Sequence, residues 1–572
     1  MKKYLLLIVT TLLPLLNFSQ SAEMGLDQKI DQAFQPVADA FFNAIFFPIY
    51  KSDSLEIPFV LVLLVGSALF FTIYFKFPNI RFFGMAINTV RGKYEDIEKH
   101  GAKELYGEDG IAQGLDLTNV NIEEHLEMVE QKLVANKDLA IDGDIVDTIR
   151  DESSDGEVSH FQALATAVSG TVGNGNIAGV ALAIALGGPG ATFWMIVCGL
   201  LGMSTKFVEC TLGVQFRDVG DDGTVYGGPM YYISKGLKSK GFKTFGKIAA
   251  AIFAVFCVGG SFGGGNAAQS NQATIVIKEL FNWESTAAGA IVGVVLAILV
   301  GVIIIGGIKR IASVTEKVVP FMAVMYIVAC LYIILSNFSL IDDAIGLIIR
   351  EAFNPTAFGV GSLIGVLLVG FQRAAFSNEA GAGSASIAHS AVKTKYSASE
   401  GLVALLEPFI DTVVICTMTA LVIIIFNFGG FFEYGGDGSG VVFIDGLPYE
   451  GAGITSKAFA EYIPYSNIFL TIAVVLFAVS TMISWSYYGL QSWKFLFGRG
   501  KVADLVYKCL FLLFVVIGAA ASMGSIWKFS DAMIFAMIFP NMVGLFFLFP
   551  VVRKQLNRYL DAIKLKRQAI EN

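Results

Sequence analysis

The sequence predicts an all-α polytopic membrane protein of about 11 transmembrane helices, one extra N-terminal helix followed by two groups of five. Three observations point there. The chain of 572 residues is 55% hydrophobic and only 15% charged, with a mean hydropathy of +0.65, whereas a soluble protein needs more polar surface. Its apolar residues gather into stretches of the ~20 residues a helix needs to cross a bilayer. Two of those stretches are interrupted by residues that hydrocarbon excludes, one in each half of the chain, as at the binding sites of transporters.

Residues 1–22 open with Lys2-Lys3, run through an apolar stretch at 4–18 and end in small residues around Ser21-Ala22. This is the order of a signal peptide, cleaved or retained as an anchor. Residues 27–48 carry Ile30, Phe34, Val37, Phe41, Phe42, Ile45 and Phe46 at helical spacing, which predicts an interfacial amphipathic helix. Spans are then expected at 56–76, 162–187, 190–214, 247–277, 286–307, 317–337, 357–390, 399–427, 466–492, 503–523 and 529–552.

Loop charges orient these spans. Alternate connections are basic: Lys76 with Arg81, Arg91 and Lys93; Arg217 with Lys235, Lys238, Lys240 and Lys243; Lys309-Arg310 with Lys317; Lys393 with Lys395; Lys494 with Arg499 and Lys501. The tail 553–572 is basic as well. The longest of the other loops, 429–464, has Glu433, Asp437, Asp445 and Glu450 against Lys457. Basic loops stay in the cytoplasm, so the expected setting is a bacterial inner membrane with the N-terminus outside and the C-terminus inside. Residues 56–94 form the extra helix and the start of the cytoplasmic region. The groups of five cover 159–338 and 357–552. An odd number of helices per group gives the two groups opposite orientations, the geometry of inverted repeats. Between the extra helix and the first group lies a polar insert, 95–158, with short helices expected at 123–134 and 140–150. It reads as a solvated loop in preference to a folded regulatory module.

The composition also excludes functions. The 6 cysteines lie in apolar segments without a CxxC pair, and the 4 histidines lack metal-ligand spacing. The spans hold no nucleophile–base pair or metal set, so no enzyme and no cofactor is expected. The net charge of -8 lies outside the spans. It implies no nucleic acid and no obligatory protein partner; the bilayer itself is the implied surrounding.

The first break reads Gly170-Thr171-Val172-Gly173-Asn174-Gly175-Asn176. Glycine lets the backbone leave the helix. The half-helix that starts near Asn176 turns its amides toward the break and suits a carboxylate. The half-helix that stops near Ser169 offers carbonyls suited to a cation. A Gly-rich packing face is the competing reading, but it leaves Asn174 and Asn176 unexplained. No carboxylate occurs in this break, which favours Na+ over H+ as the driving ion.

The second break runs from Phe371 to Gly381. Ser377 or Asn378 fits the N-cap of a small-residue helix, with Glu379 in its first turn. Arg373 is expected to pair with Glu379, Glu407 or Asp411, either as a structural brace or as a gate. Asn266, Gln269 and Asn271 place amides at mid-span, where a polar substrate is one partner. Ser480 or Thr481 with Ser484 puts hydroxyls on one helix face. They serve a Na+ site only if that helix faces the first break; otherwise they bond their own backbone.

Five runs resemble the alanine or glycine:cation symporter family: GTVGNGNIAGVALAIALGGPG at 170–190, GMSTKFVE at 202–209, GGPMYYI at 227–233, FSNEAGAGSA at 376–385 and STMISWSYYG at 480–489. The resemblance covers 27–94 and 159–555, leaving out the signal peptide and the insert. It implies a leucine-transporter-type fold of inverted five-helix repeats that carries a small neutral amino acid inward with Na+. By motif match, Thr171, Gly173, Asn174, Gly175, Asn176, Gln269, Phe371 and Trp485 would line the substrate site. Carbonyls around Ser169 and Val172, with the Thr481 and Ser484 hydroxyls, would hold Na+. Phe371 and Trp485 would limit side-chain size. On the residues alone, an H+-coupled carrier of another small polar solute and an amino-acid-binding membrane sensor are the other readings.

Overall fold

The computed structural model describes residues 26–52, 55–101, 148–149, 156–220, 224–283, 285, 287–354, 363–436 and 438–571. The expected signal peptide, most of the insert with its expected helix at 123–134, and the expected start of the second broken span at 357–362 lie outside these residues. The described part of the helix expected at 140–150, Thr148–Ile149, is instead a strand paired with Val219 and Gly220, because edge-to-edge backbone bonds to that strand replace the local helical ones.

The principal helices follow the hydropathy. They are α1 (Leu26–Ile45), α2 (Phe59–Tyr74), α3 (Glu95–His100), α4 (His160–Thr171) and α5 (Ala178–Gly187). Next come α6 (Gly190–Gln215), α7 (Lys243–Phe281), α8 (Ala288–Ile304), α9 (Gly307–Ser336) and α10 (Leu363–Asn378). The last are α11 (Ser397–Asn427), α12 (Ser466–Phe497), α13 (Lys501–Ala520) and α14 (Met523–Glu571). Among the described residues, 7 helices are long and apolar enough to cross a membrane: α6, α7, α9 and α11 to α14. The pair α4 and α5 adds a span bent by 57°. The shorter apolar helices α2, α8 and α10 stand at the remaining predicted stretches.

Burial separates centre from rim. In the apolar windows of α6, α12 and α14, 67%, 67% and 72% of residues are buried, against 33% in α9 and 28% in α13. On α9 the exposed face is Phe321, Val324, Val328, Tyr332 and Leu335. Such a stripe is stable only against hydrocarbon. The amphipathic helix α1 turns its aromatic face onto α14: Phe34 meets Phe529 at 5.2 Å between ring centres, and Phe46 meets Phe535 at 5.1 Å.

Two helices carry wide turns that the 3.6-residue pattern does not announce. Gly263–Ala267 in α7 and Phe409–Cys416 in α11 are π-helical. Such bulges re-aim side chains and concentrate at functional places. In the loop before α12, strands Val442–Ile444 and Leu447–Tyr449 pair through Asp445-Gly446. Both turn residues have positive φ, 53° and 77°, as a two-residue hairpin turn with the strands' twist demands.

Candidate functional site

The first break is built by its own backbone and by α7. A capping box starts α4: the Ser159 hydroxyl accepts from Gln162 N–H, and the Gln162 side chain accepts from Ser159 N–H. The helix runs to Thr171. Gly173 is extended, Asn174–Asn176 form one 3-10 turn, and α5 starts at Ala178. A Cβ on Gly173 would stand 3.0 Å from Gln269 Oε1 and collide with the Thr481 hydroxyl, so only glycine permits this approach. Gly173 N–H donates to Asn176 Oδ1 at 2.9 Å. Asn174 N–H donates to Gln269 Oε1 at 2.9 Å, and Asn174 Nδ2 donates to the Gln269 carbonyl at 3.2 Å. Gln269 Nε2 is held by the Gly264 carbonyl at 2.9 Å, inside the π turn. Asn174 Oδ1 is buried and has no hydrogen-bond partner among the described residues. Thr171 turns its hydroxyl back to the Ala167 carbonyl at 3.3 Å.

Helix α12 faces this break. The Thr481 hydroxyl donates to the Ser169 carbonyl at 3.0 Å, and the Ser169 hydroxyl donates to the Ser480 carbonyl at 2.8 Å. Ser480 and Ser486 do bond carbonyls of their own helix, at 2.9 and 2.6 Å. Thr481 reaches across instead, and Ser484, a turn along, is buried with its hydroxyl unpartnered among the described residues. Val172, fully buried, caps α4 where its carbonyl ladder ends.

The second break departs from expectation. No small-residue helix starts behind Ser377 or Asn378. Instead α10 ends at Asn378, whose Oδ1 accepts from Ala380 N–H at 3.0 Å. Glu379, Gly381 and Gly383 have φ of 55°, 98° and 85°. Two glycines in left-handed backbone end a helix rather than begin one, and the chain stays in turns until Ser386–His389. Gly175 of the first break lies against this end: its Cβ would stand 3.5 Å from Phe376 and from the Ser377 Cα.

The expected ion pairs are also corrected. Arg373 pairs with Asp531 of α14, not with Glu379, Glu407 or Asp411. Glu379 follows six residues later, past the helix end, and its carboxylate turns away to Trp485 Nε1 at 2.9 Å and to the Ser384 hydroxyl. Glu407 takes Lys206 of α6 at 3.0 Å. Asp411 accepts from Asn176 Nδ2 at 2.7 Å, Thr412 at 2.7 Å and Ser377 at 3.0 Å. The first break therefore does meet a carboxylate, brought by the π-helical stretch of α11.

The aromatic walls are divided as well. Trp485 is fully buried against the π turn, where a Cβ on Gly265 would collide with it. Phe371 lies beside the Trp194 ring of α6, 6.3 Å between ring centres. Phe376 occupies the place beside the break, with Trp527 of α14 at 4.6 Å behind it. Asn266 and Asn271 turn their amide nitrogens to α13 and the residue after it: Asn266 Nδ2 donates to the Phe511 carbonyl at 2.6 Å, and Asn271 Nδ2 to the Ala521 carbonyl at 2.9 Å, while Asn266 Oδ1 has no hydrogen-bond partner among the described residues.

At the far end of α4, charges alternate along a buried chain. Glu98 of α3 accepts from Tyr559 at 2.7 Å and meets His160 at 2.7 Å. His160 also meets Glu400. Glu400 meets His389 at 2.5 Å, His389 stands 3.5 Å from Glu407, and Glu407 holds Lys206. Sequence spacing gave no sign of this chain, because its members come from five separate segments. Among the described residues no group of three His, Cys, Asp or Glu side chains could hold a metal ion.

A profile described as the sodium:alanine symporter family matches residues 130–572. The chain is 42% identical over 417 residues to the sodium/alanine symporter AgcS of Methanococcus maripaludis, covering 73% of this chain and 87% of that one. It is 33% identical over 416 residues to the amino-acid carrier protein AlsT of Bacillus subtilis, covering 72% and 82%. Among solved structures, MhsT in complex with L-phenylalanine aligns over 71% of this chain and 99% of that one, at 14% identity and a TM-score of 0.48.

Proposed function

We propose that this chain, which belongs to the sodium:alanine symporter family, imports a small neutral amino acid, alanine or glycine, with Na+ and holds both cargoes at the break between α4 and α5. The observation that carries this reading is the crossing of α12 over the end of α4. Thr481 spends its hydroxyl on the Ser169 carbonyl, while Ser484 waits unpartnered one turn on. Two carbonyls, at Ser169 and Val172, and two neutral hydroxyls form a hard oxygen set suited to Na+. The turn offers the Gly175 amide for the carboxylate of the amino acid, while the Asn174 and Asn176 amides are held by Gln269 Oε1 and the Gly173 carbonyl and become donors to it only when those bonds are exchanged. Gln269 fixes that turn from α7. Trp485, with Phe376 in the position expected of Phe371, bounds the side-chain space.

The basic loops support an orientation with His160 toward the cytoplasm and Gly187 toward the outside. Na+ then stabilises the bridge between α4 and α12, the amino acid docks, and the cytoplasmic half-helix α4 swings to release both. The membrane potential adds ~2.3 kcal/mol per charge per 100 mV to the Na+ gradient.

The test is radiolabelled alanine uptake into proteoliposomes under inward Na+, K+ or H+ gradients. Na+ alone should drive accumulation, and uptake that ignores Na+ would sink the coupling. Thr481→Ala should raise the Na+ concentration for half-maximal uptake by roughly tenfold, the worth of one ligand interaction of ordinary strength. A normal Na+ dependence in that variant would remove Thr481 from the ion site.

A further inference from the structure

On the side of the break away from His160, a second group of polar atoms is left unused by the central site. Trp527, Ser530 and Asp531 share one face of α14, at i, i+3 and i+4. That face meets the break from behind Phe376. The Trp527 ring is 3.4 Å from the place of a Cβ on Gly179, and the Ser530 Cα is 3.1 Å from that on Gly263. Arg373 arrives from α10, with its guanidinium 5.1 Å from the Trp527 ring and 5.5 Å from the Phe376 ring.

The ion pair uses one prong of each fork. Arg373 Nη2 and Gln372 Nε2, the latter at 2.8 Å, both donate to Asp531 Oδ2. Arg373 Nη1, Asp531 Oδ1, Trp527 Nε1 and Ser530 Oγ are buried and have no hydrogen-bond partner among the described residues. The four residues are 4%, 3%, 5% and 0% exposed. Buried polar atoms are rarely left so, and a pair built only to brace two helices is better made bidentate.

The four atoms fall into two complementary sets. Arg373 Nη1 and Trp527 Nε1 are donors, one of them cationic. Asp531 Oδ1 and Ser530 Oγ are acceptors, one of them anionic. Together they match the carboxylate and ammonium of a zwitterion, and the rings of Phe376 and Trp527 supply an apolar wall. We propose that Arg373, Trp527, Ser530 and Asp531 form an outer receiving site for the head group of an α-amino acid. The amino acid rests there before it passes Phe376 to the break. This rests on reading the break as the transport site.

The test compares wild type with Arg373→Lys, Asp531→Asn and Trp527→Phe. Arg373→Lys and Asp531→Asn keep a bond of the original and Trp527→Phe keeps an aromatic ring, while each removes one receiving atom or charge. Initial rates of Na+-driven alanine uptake are measured against alanine concentration, and folding is checked by thermal unfolding in detergent. The KM for alanine should rise by roughly tenfold per lost charge-assisted bond, with Vmax within about twofold because the central site is intact. Three variants with wild-type KM would overturn the proposal. So would a fall in Vmax alone, which marks a mere brace. Ser530→Ala, which barely disturbs packing, gives a fourth reading if a charge variant unfolds: an unchanged KM there counts against the site. A wild type that takes up no alanine would overturn the central reading instead, and this proposal with it.

Discussion

The two ends of the broken span are closed by different physics. On the Gly187 side, Phe376 and Trp527 cover Gly175 and Gly179, pinned by the single pair of Arg373 and Asp531. On the His160 side six groups alternate in sign, from Glu98 through His160, Glu400, His389 and Glu407 to Lys206. The two rings are tilted by 36°, and such contacts are attracted weakly, so they slide apart by small steps. A buried chain of charges is directional, and each member is costly without its neighbour. In the orientation proposed above, the outer cover is therefore cheap to open, and the inner closure behaves as a latch. That suits a carrier that must admit substrate readily and release it only after a committed change.

The sharpest way to break this contrast is Glu400→Gln. Glu400 stands between both histidines, so its charge supports two links at once. Removing one member of a buried ionic set costs about 3–5 kcal/mol. The variant should lose stability on that scale, seen as a marked fall in the midpoint of thermal unfolding. An unchanged midpoint would mean that the chain is not a latch.

Glu98→Gln is milder. It keeps the shape and the Tyr559 contact but unloads one end of the chain, worth about 1.5–3 kcal/mol for a bond to a charged group. The fold should survive, and the equilibrium should move toward the state open on the His160 side. A cysteine placed at Ala163, which is 1% exposed on α4, should then react with a membrane-impermeant maleimide severalfold faster from that side. Equal labelling in both proteins would detach α3 from gating.

On the other side, Phe376→Leu keeps an apolar side chain but removes the ring contact with Trp527, worth about 0.5–1.5 kcal/mol. Alanine bound in Na+ should dissociate faster by a comparable factor, while thermal stability stays near wild type. A loss of stability as large as that of Glu400→Gln would erase the difference between the two ends.

What was legible in the sequence follows the range of the interactions. The spans were readable because burial in a bilayer is written into each stretch of ~20 residues. The first break was readable because Gly173-Asn174-Gly175-Asn176 violates the local rules for hydrocarbon. The second was misread for a local reason: Ser377-Asn378-Glu379 has the composition of a helix start, and Gly381 and Gly383 make it a helix end. The partners of Arg373 and Asn176 were out of reach. Asp531 and Asp411 lie 158 and 235 residues from them, and any of several intramembrane acids satisfied the same charge argument. Phe371 and Phe376 lie five residues apart on one helix, about 140° in helical phase, and composition alone does not say which ring faces the break. The π turn in α7 left a trace, Gly263-Gly264-Gly265, but the trace says only that backbone approaches closely, not that Trp485 fills the approach.

The smallest effect is expected where charge meets water. Asp39 of α1 and Lys528 of α14 lie 2.7 Å apart with side chains 39% and 47% exposed. Their separation resembles that of the inner chain, so contact distance alone predicts a comparable role. Exposure predicts otherwise: an exposed pair gains little Coulomb energy, loses side-chain entropy and is screened by salt, for a net of about 0–1 kcal/mol. The aromatic face of α1 on Phe529 and Phe535 does the docking in its place. Asp39→Ala should leave uptake and thermal unfolding within error of wild type, and the small difference should vanish at high salt. A shift on the scale of Glu400→Gln would show that α1 is locked to α14 by charge, and that the latch on the His160 side has a counterpart on the other.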